Sequence, residues 1–176
     1  MDIFLALFVV LVSISTILQG VGTFTPGWIN FGNGHSGGLY SSYGWDGSVW
    51  WITAPQYLMG FSCVLWFFML PVSLILMHNI SKHGYLSEWR GMFYAYAVIS
   101  AISIGLTIIC LIFVGTNIDS GASLSYSAWI CVGSMVSFLG VIGICIYINR
   151  NLIEEASTSA PVHRAIPIVG VLFLRD

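Results

Sequence analysis

The chain has 176 residues, of which 57% are hydrophobic and only 7% charged, with a mean hydropathy of +0.91; soluble domains carry roughly 25% charged residues, so water is excluded as its main solvent. Five Lys+Arg against seven Asp+Glu, a formal net charge of -2, leave no basic surface. Nucleic acid is thereby excluded as a partner.

A bilayer core of roughly 30 Å needs about 20 helical residues at ~1.5 Å each, and four stretches of that length carry no Asp, Glu, Lys or Arg: 3–22, 57–77, 91–114 and 128–148. In the first, an apolar run from Ile3 to Val12 gives way to Ser13, Ser15, Thr16 and Gln19. A cleaved signal peptide is the rival reading of this stretch. Its leading Met1-Asp2 is acidic rather than basic and its apolar run outlasts a usual h-region, which favours an uncleaved span. Gln19, the most polar side chain in any span, is expected to hydrogen-bond another helix or interfacial water. The second span contains Pro71, where a kink is expected because proline has no N–H to donate.

Small residues mark the other two spans. The third carries Ala97, Ala101 and Gly105 at four-residue spacing, a candidate helix-packing face. The fourth has Gly133, Ser137, Gly140 and Gly143. Packing within the protein's own bundle is favoured for both stripes over a dimer face. All cations fall in alternate connections: Lys82 and Arg90 between spans two and three, then Arg150, Arg164 and Arg175 after span four. The positive-inside rule then places both termini in the cytoplasm and the loops 23–56 and 115–127 outside. The chain divides into a four-span membrane domain, 1–155, and a cytoplasmic tail, 156–176. In that tail 166–174 turns apolar again but is too short to span.

Proton relays, ion pathways and voltage sensors need ionisable groups at depth, and the spans have none, which argues against pumps and coupled transporters. No nucleophile elbow, P-loop, dinucleotide fingerprint or zinc spacing occurs, so the expectation is a non-enzymatic protein without cofactors. Two stretches fit proposed sterol-contact patterns, Val141 to Arg150 around Tyr147 and Arg90 to Val98 around Phe93, which makes sterol a candidate partner beside the membrane lipids. Cys145, near the inner end of span four, is a candidate palmitoylation site by position, with burial in the bundle as the favoured alternative.

The first outer loop is rich in glycine, serine and aromatics. Residues 39–43 and 48–53 flank Trp45-Asp46-Gly47, and Asp-Gly between β-prone runs predicts a hairpin with a type I′ turn. Tyr43, Trp45, Trp50 and Trp51 are either part of the aromatic belt at the lipid interface or a partner-binding surface. The fold class is an all-α membrane protein, a bundle of four transmembrane helices with a small extracellular β-sheet in the first outer loop.

From Trp28 to Tyr40 the sequence resembles the claudin-like superfamily, most closely its peripheral myelin protein and epithelial membrane protein branch. Trp28 matches the Trp that follows the first span, Gly32, Asn33, Gly34 and His35 match the turn of the myelin member, Leu39 matches the Leu of a Leu-Trp pair, and Tyr40 takes the second aromatic position. The family places a cysteine pair next, closing the outer sheet by a disulfide. Tyr43 stands where the first would be and no loop cysteine follows. The family's outer-loop glycosylation site is unmatched too, since the one Asn-x-Ser/Thr triplet, Asn79-Ile80-Ser81, falls on the expected cytoplasmic side. The resemblance implies a multi-pass plasma-membrane protein organising cell-cell contacts, junctions or membrane apposition. Its partners would be other membrane proteins or copies of itself, in cis or in trans. An auxiliary subunit modulating an ion channel or receptor is the alternative.

Overall fold

A computed structural model describes residues 3–30, 36–40, 50–118 and 122–153, with the side chains of Trp50 and Trp51 outside the description. Four helices are long and apolar enough to cross a membrane. They are α1 (Ile3–Phe24), α2 (Trp50–His83), α3 (Arg90–Asn117) and α4 (Tyr126–Tyr147). The α4 end runs on through a π-helical turn at Ile148–Leu152 and is helical as far as Ile153. Two-residue strands β1 (Ile29–Asn30), β2 (Ser36–Gly37) and β3 (Ser123–Leu124) form one antiparallel sheet in the order β2-β1-β3.

The expected small sheet is present, but other residues build it. Residues 50–53, expected as the second strand of a hairpin, form the first turn of α2, while the Asp46-Gly47 turn lies outside the described residues. The reason is burial period. Ile52, Met59, Ser62, Trp66, Ser73, Leu76 and Ile80 are all buried at intervals of three, four or seven residues, a helical stripe that starts at Ile52. At 34 residues, α2 is about 51 Å long at ~1.5 Å per residue, longer than the ~30 Å bilayer core. It continues past the exposed Pro71 without a break. Lys82 and His83 occupy its last turn, where cations complement the helix dipole. Gly84, at φ 74, then stops it by donating its N–H to the Ile80 carbonyl at 2.8 Å.

Two apolar clusters fill the bundle. The larger gathers Leu5, Phe8 and Val12 of α1 with Trp66, Phe93, Tyr96, Phe138 and Val141 from the other helices. Phe8 meets Tyr96 edge-on at 4.9 Å, and Trp66 stacks on Phe138 at 4.6 Å. The smaller cluster, under the sheet, joins Trp28, Ile29 and Leu39 to Met59, Cys110, Val114, Ala128 and Cys131. The closest helix pair is α1 with α4. Glycines permit this: a Cβ on Gly22 would collide with the Cys131 Sγ, and one on Gly140 would press on Leu11.

A polar layer lies between the clusters. Gln19 is fully buried and accepts a hydrogen bond from the Ser134 hydroxyl at 2.7 Å, while its amide nitrogen donates to Ser62 Oγ at 3.4 Å. This joins α1, α2 and α4 where lipid offers no polar partner, so Gln19 takes the interhelical role expected of it. Below it, Trp66 Nε1 donates to Ser103 Oγ at 2.8 Å and extends the layer to α3.

Replacing Gln19 and Ser134 by alanine, singly and together, is expected to reveal a coupling of about 1 kcal/mol in a double-mutant cycle of reversible unfolding in mixed detergent micelles. Additive effects would show that the pair is not coupled.

Candidate functional site

The sheet end is organised around the exit of the chain from α1. A helix leaves its last carbonyls without intrahelical donors, and here the shortage is sharpened because Pro26, four residues after Gly22, has no N–H. Trp28 supplies the missing donor. Its indole Nε1 donates to the Gly22 carbonyl at 2.7 Å, and the side chain is only 1% exposed.

The Trp28 backbone is held on both sides. Its N–H donates to the Gly37 carbonyl at 2.9 Å, and its carbonyl accepts from the Ser125 N–H at 2.9 Å. The strand pairings continue this in register, with Ile29 opposite both Gly37 and Leu124. The loop after α1 and the loop before α4 thereby become one unit. Ser127, in the first turn of α4, accepts from the Gly27 N–H at 3.1 Å, and its hydroxyl lies 2.7 Å from that of Thr25. Close approach demands glycine at two points. A Cβ on Gly27 would enter the Tyr126 ring, and one on Gly38 would strike the Pro26 backbone.

The far side of the unit is tied to α2. Leu39 is buried and its carbonyl accepts from Gln56 Nε2, while the Tyr40 hydroxyl donates to the Gln56 carbonyl. The Tyr40 ring packs on Phe24 with centroids 5.2 Å apart. Partial burial raises the Tyr40 phenol above its ordinary range. Side-chain hydrogen bonds tie α1, α2 and α4 to this unit, and α3 contributes Cys110 and Val114 beneath it.

A family model described as "Tight junction protein, Claudin-like" matches residues 1–159. The chain belongs to the claudin-like tight junction family. No curated protein and no solved structure matches it. This claudin-like chain is a tetraspan membrane protein, and its three-stranded sheet closes although all four cysteines are free and lie within helices.

Of the residues that carry the sequence resemblance, Trp28, Leu39 and Tyr40 come together in this unit. Gly32, Asn33, Gly34 and His35, between β1 and β2 in sequence, and Tyr43 and Trp45, between β2 and α2, lie outside the described residues. Trp50 and Trp51 begin α2. On α3, Ala97 packs against the larger cluster, Ala101 is exposed, and a Cβ on Gly105 would meet nothing within 4 Å. Of the stripe, Ala97 thus packs within the bundle, Ala101 faces outward and Gly105 is half-buried.

Cys145 is fully buried in the larger cluster, the placement favoured for it from the sequence. Each sterol pattern has a buried member, while Tyr147, the central aromatic of the second, is exposed. Phe93, the central aromatic of one, is buried beneath Phe8 with centroids 5.4 Å apart, and Val141 of the other is also fully buried. Neither side chain faces lipid.

Pro26, Gly27, Gln56 and Ser127 were not singled out by sequence reasoning. The adjacent Pro26-Gly27 after an apolar run is a helix-stop signal, but nothing local identifies Ser127 or Gln56 as its distant partners.

Trp28→Phe keeps a ring but loses the donor to Gly22, and is expected to destabilise the fold by about 1–3 kcal/mol through the unsatisfied carbonyl; Trp28→Ala is expected to cost about 3–5 kcal/mol. In a Pro26→Ala background the restored N–H should reduce the Trp28→Phe loss. Unfolding midpoints in mixed micelles test this, and an equal loss in both backgrounds would refute the capping role.

Proposed function

We propose that this claudin-like tetraspan acts without catalysis to organise cell-cell contacts, junctions or membrane apposition at the plasma membrane. One observation carries the reading: the described residues of both loops at the sheet end are joined around Trp28 and anchored to the bundle by Gln56 and Ser127. A surface organised in advance loses little conformational freedom on meeting a partner. Other membrane proteins and copies of itself, in cis or in trans, are the proposed partners. Tyr43, Trp45, Trp50 and Trp51, beside this unit in sequence, are the proposed contact residues.

The distribution of cations supports an extracellular sheet and cytoplasmic termini. Lys82 ends α2, Arg90 begins α3 and Arg150 follows α4, whereas the loops 23–56 and 115–127 contain no Lys or Arg. The Trp28 to Tyr40 motif supports a place near the peripheral myelin and epithelial membrane protein branch. We take 1–155 as the membrane domain and 156–176 as its cytoplasmic tail.

The auxiliary-subunit reading is favoured by a different observation. Ala101 is exposed and the space over Gly105 is open, leaving part of a small-residue face on α3 for the helix of another membrane protein.

Tagged protein expressed in non-adherent cells separates the two readings. Enrichment at borders between two expressing cells, lost on joint replacement of Tyr43 and Trp45 by alanine while surface level is retained, is the expected result. An even surface distribution with stoichiometric co-purification of a channel or receptor in mild detergent would replace the contact reading by the auxiliary one.

A further inference from the structure

Between α1 and α2, on the outside of the bundle, lies a crevice of about 450 Å³ lined by Thr16, Gly20, Phe24, Cys63, Val64, Phe67 and Phe68. We propose that it is a binding site for a membrane sterol in the leaflet on the sheet's side.

The crevice arises because large side chains surround small ones. Phe24, Val64, Phe67 and Phe68 are 62%, 54%, 71% and 64% exposed and stand out toward lipid. Between them Gly20 contributes no side chain, and a Cβ placed there would meet nothing within 4 Å. Phe67 and Phe68 meet edge to face at 6.0 Å, forming an angled aromatic wall. From Phe24, where α1 ends beside Tyr40, the crevice descends to Thr16, about 12 Å along the helix at ~1.5 Å per residue.

Position, polarity and size choose the occupant. Both helices cross the apolar layer here, so the crevice opens onto hydrocarbon. Its two polar side chains have committed their hydrogens, Thr16 to the Val12 carbonyl at 2.8 Å and Cys63 to Thr23 Oγ1 at 3.3 Å. The lining therefore offers an occupant contact rather than hydrogen bonds to its body. The Phe24, Val64, Phe67 and Phe68 side chains stand out around Gly20 and hold off the close backbone approach on which helix-helix packing in a membrane depends, so a second copy of the chain is not the fit. The volume is about three times the ~150 Å³ cavity that holds one benzene. It thus accommodates about eighteen carbons, close to the fused rings of a sterol.

An acyl chain of similar carbon count is the competing occupant offered by a bilayer. Fixing a flexible chain in a crevice removes rotational freedom at each bond, whereas a fused-ring body has little to lose. Since protein and lipid tails are equally apolar, there is no hydrophobic drive and the difference rests on packing and entropy. Both favour the rigid body against aromatic walls. A sterol seated along this axis keeps its hydroxyl at the interface level of Phe24 and Tyr40. The site also differs in place from the sequence patterns around Phe93 and Tyr147, which lie at the opposite end of the bundle.

The test uses full-length protein in phosphatidylcholine vesicles containing a photoreactive cholesterol, with adducts located by peptide mass spectrometry. Adducts are expected on the peptides carrying 16–24 and 63–68, competed by unlabelled cholesterol. Gly20→Leu, which fills the crevice and raises helix propensity, and Val64→Trp, at an exposed position, are each expected to reduce them about tenfold, a loss of about 1.4 kcal/mol. Val136→Trp, exposed on α4, should leave them unchanged. Three outcomes overturn the proposal: adducts insensitive to both crevice variants, equal labelling and competition by a photoreactive acyl-chain phosphatidylcholine, or labelling that falls as protein is concentrated at fixed sterol content, which would indicate a second copy in the crevice. The proposed contact role is unaffected by any of them.

Discussion

Hydrocarbon offers no hydrogen bonds, so polar groups within the bundle depend on partners inside the protein. Short hydroxyl side chains in the spans largely meet this need locally: Ser13, Thr16, Thr23, Ser100 and Thr107 each donate to the carbonyl four residues earlier. Gln19 is too long and too polar for that solution and must draw on other helices. The same need governs the end of α1, where Pro26 removes one donor and Trp28 replaces it from beyond the helix. Bundle and sheet are therefore answers to one requirement.

This requirement connects the membrane domain to the surface that would meet a partner. Trp28 is at once the cap of a membrane helix, the centre of the smaller apolar cluster and the residue preceding the middle strand. Three two-residue strands would be too small to persist in water on their own. Here they rest on Met59, Cys110, Val114 and Cys131 from three helices. The bundle supplies the stability that the resemblance would assign to a disulfide, which explains how the sheet can close without loop cysteines.

The sequence made the four helices legible because apolar length is read without knowledge of contacts, and cation placement added their alternation. The position of Gln19 as an interhelical group was also legible, since an amide in a span has few alternatives. Other features depended on distant partners. Trp50, Trp51 and Ile52 are strand-forming residue types, yet they begin α2, whose buried period starts at Ile52. Ser123 and Leu124 are too few to register as a strand until Ile29 and Asn30 lie beside them. Likewise, an aromatic near an arginine matches a sterol pattern regardless of facing, and only packing reveals that Phe93 points inward.

The arrangement of the sheet also governs the order of assembly. β1 lies between β2, which follows soon after it, and β3, which arrives only after α2 and α3. During synthesis the Trp28 carbonyl and the Gly27 carbonyl have no Ser125 or Ser127 to accept from until the start of α4 has been made and has crossed to the same side. A chain arrested after α3 would leave one edge of its middle strand unpaired, a surface open to quality-control factors and to the strands of neighbouring chains. The sheet end is thus complete only when the last helix is in place.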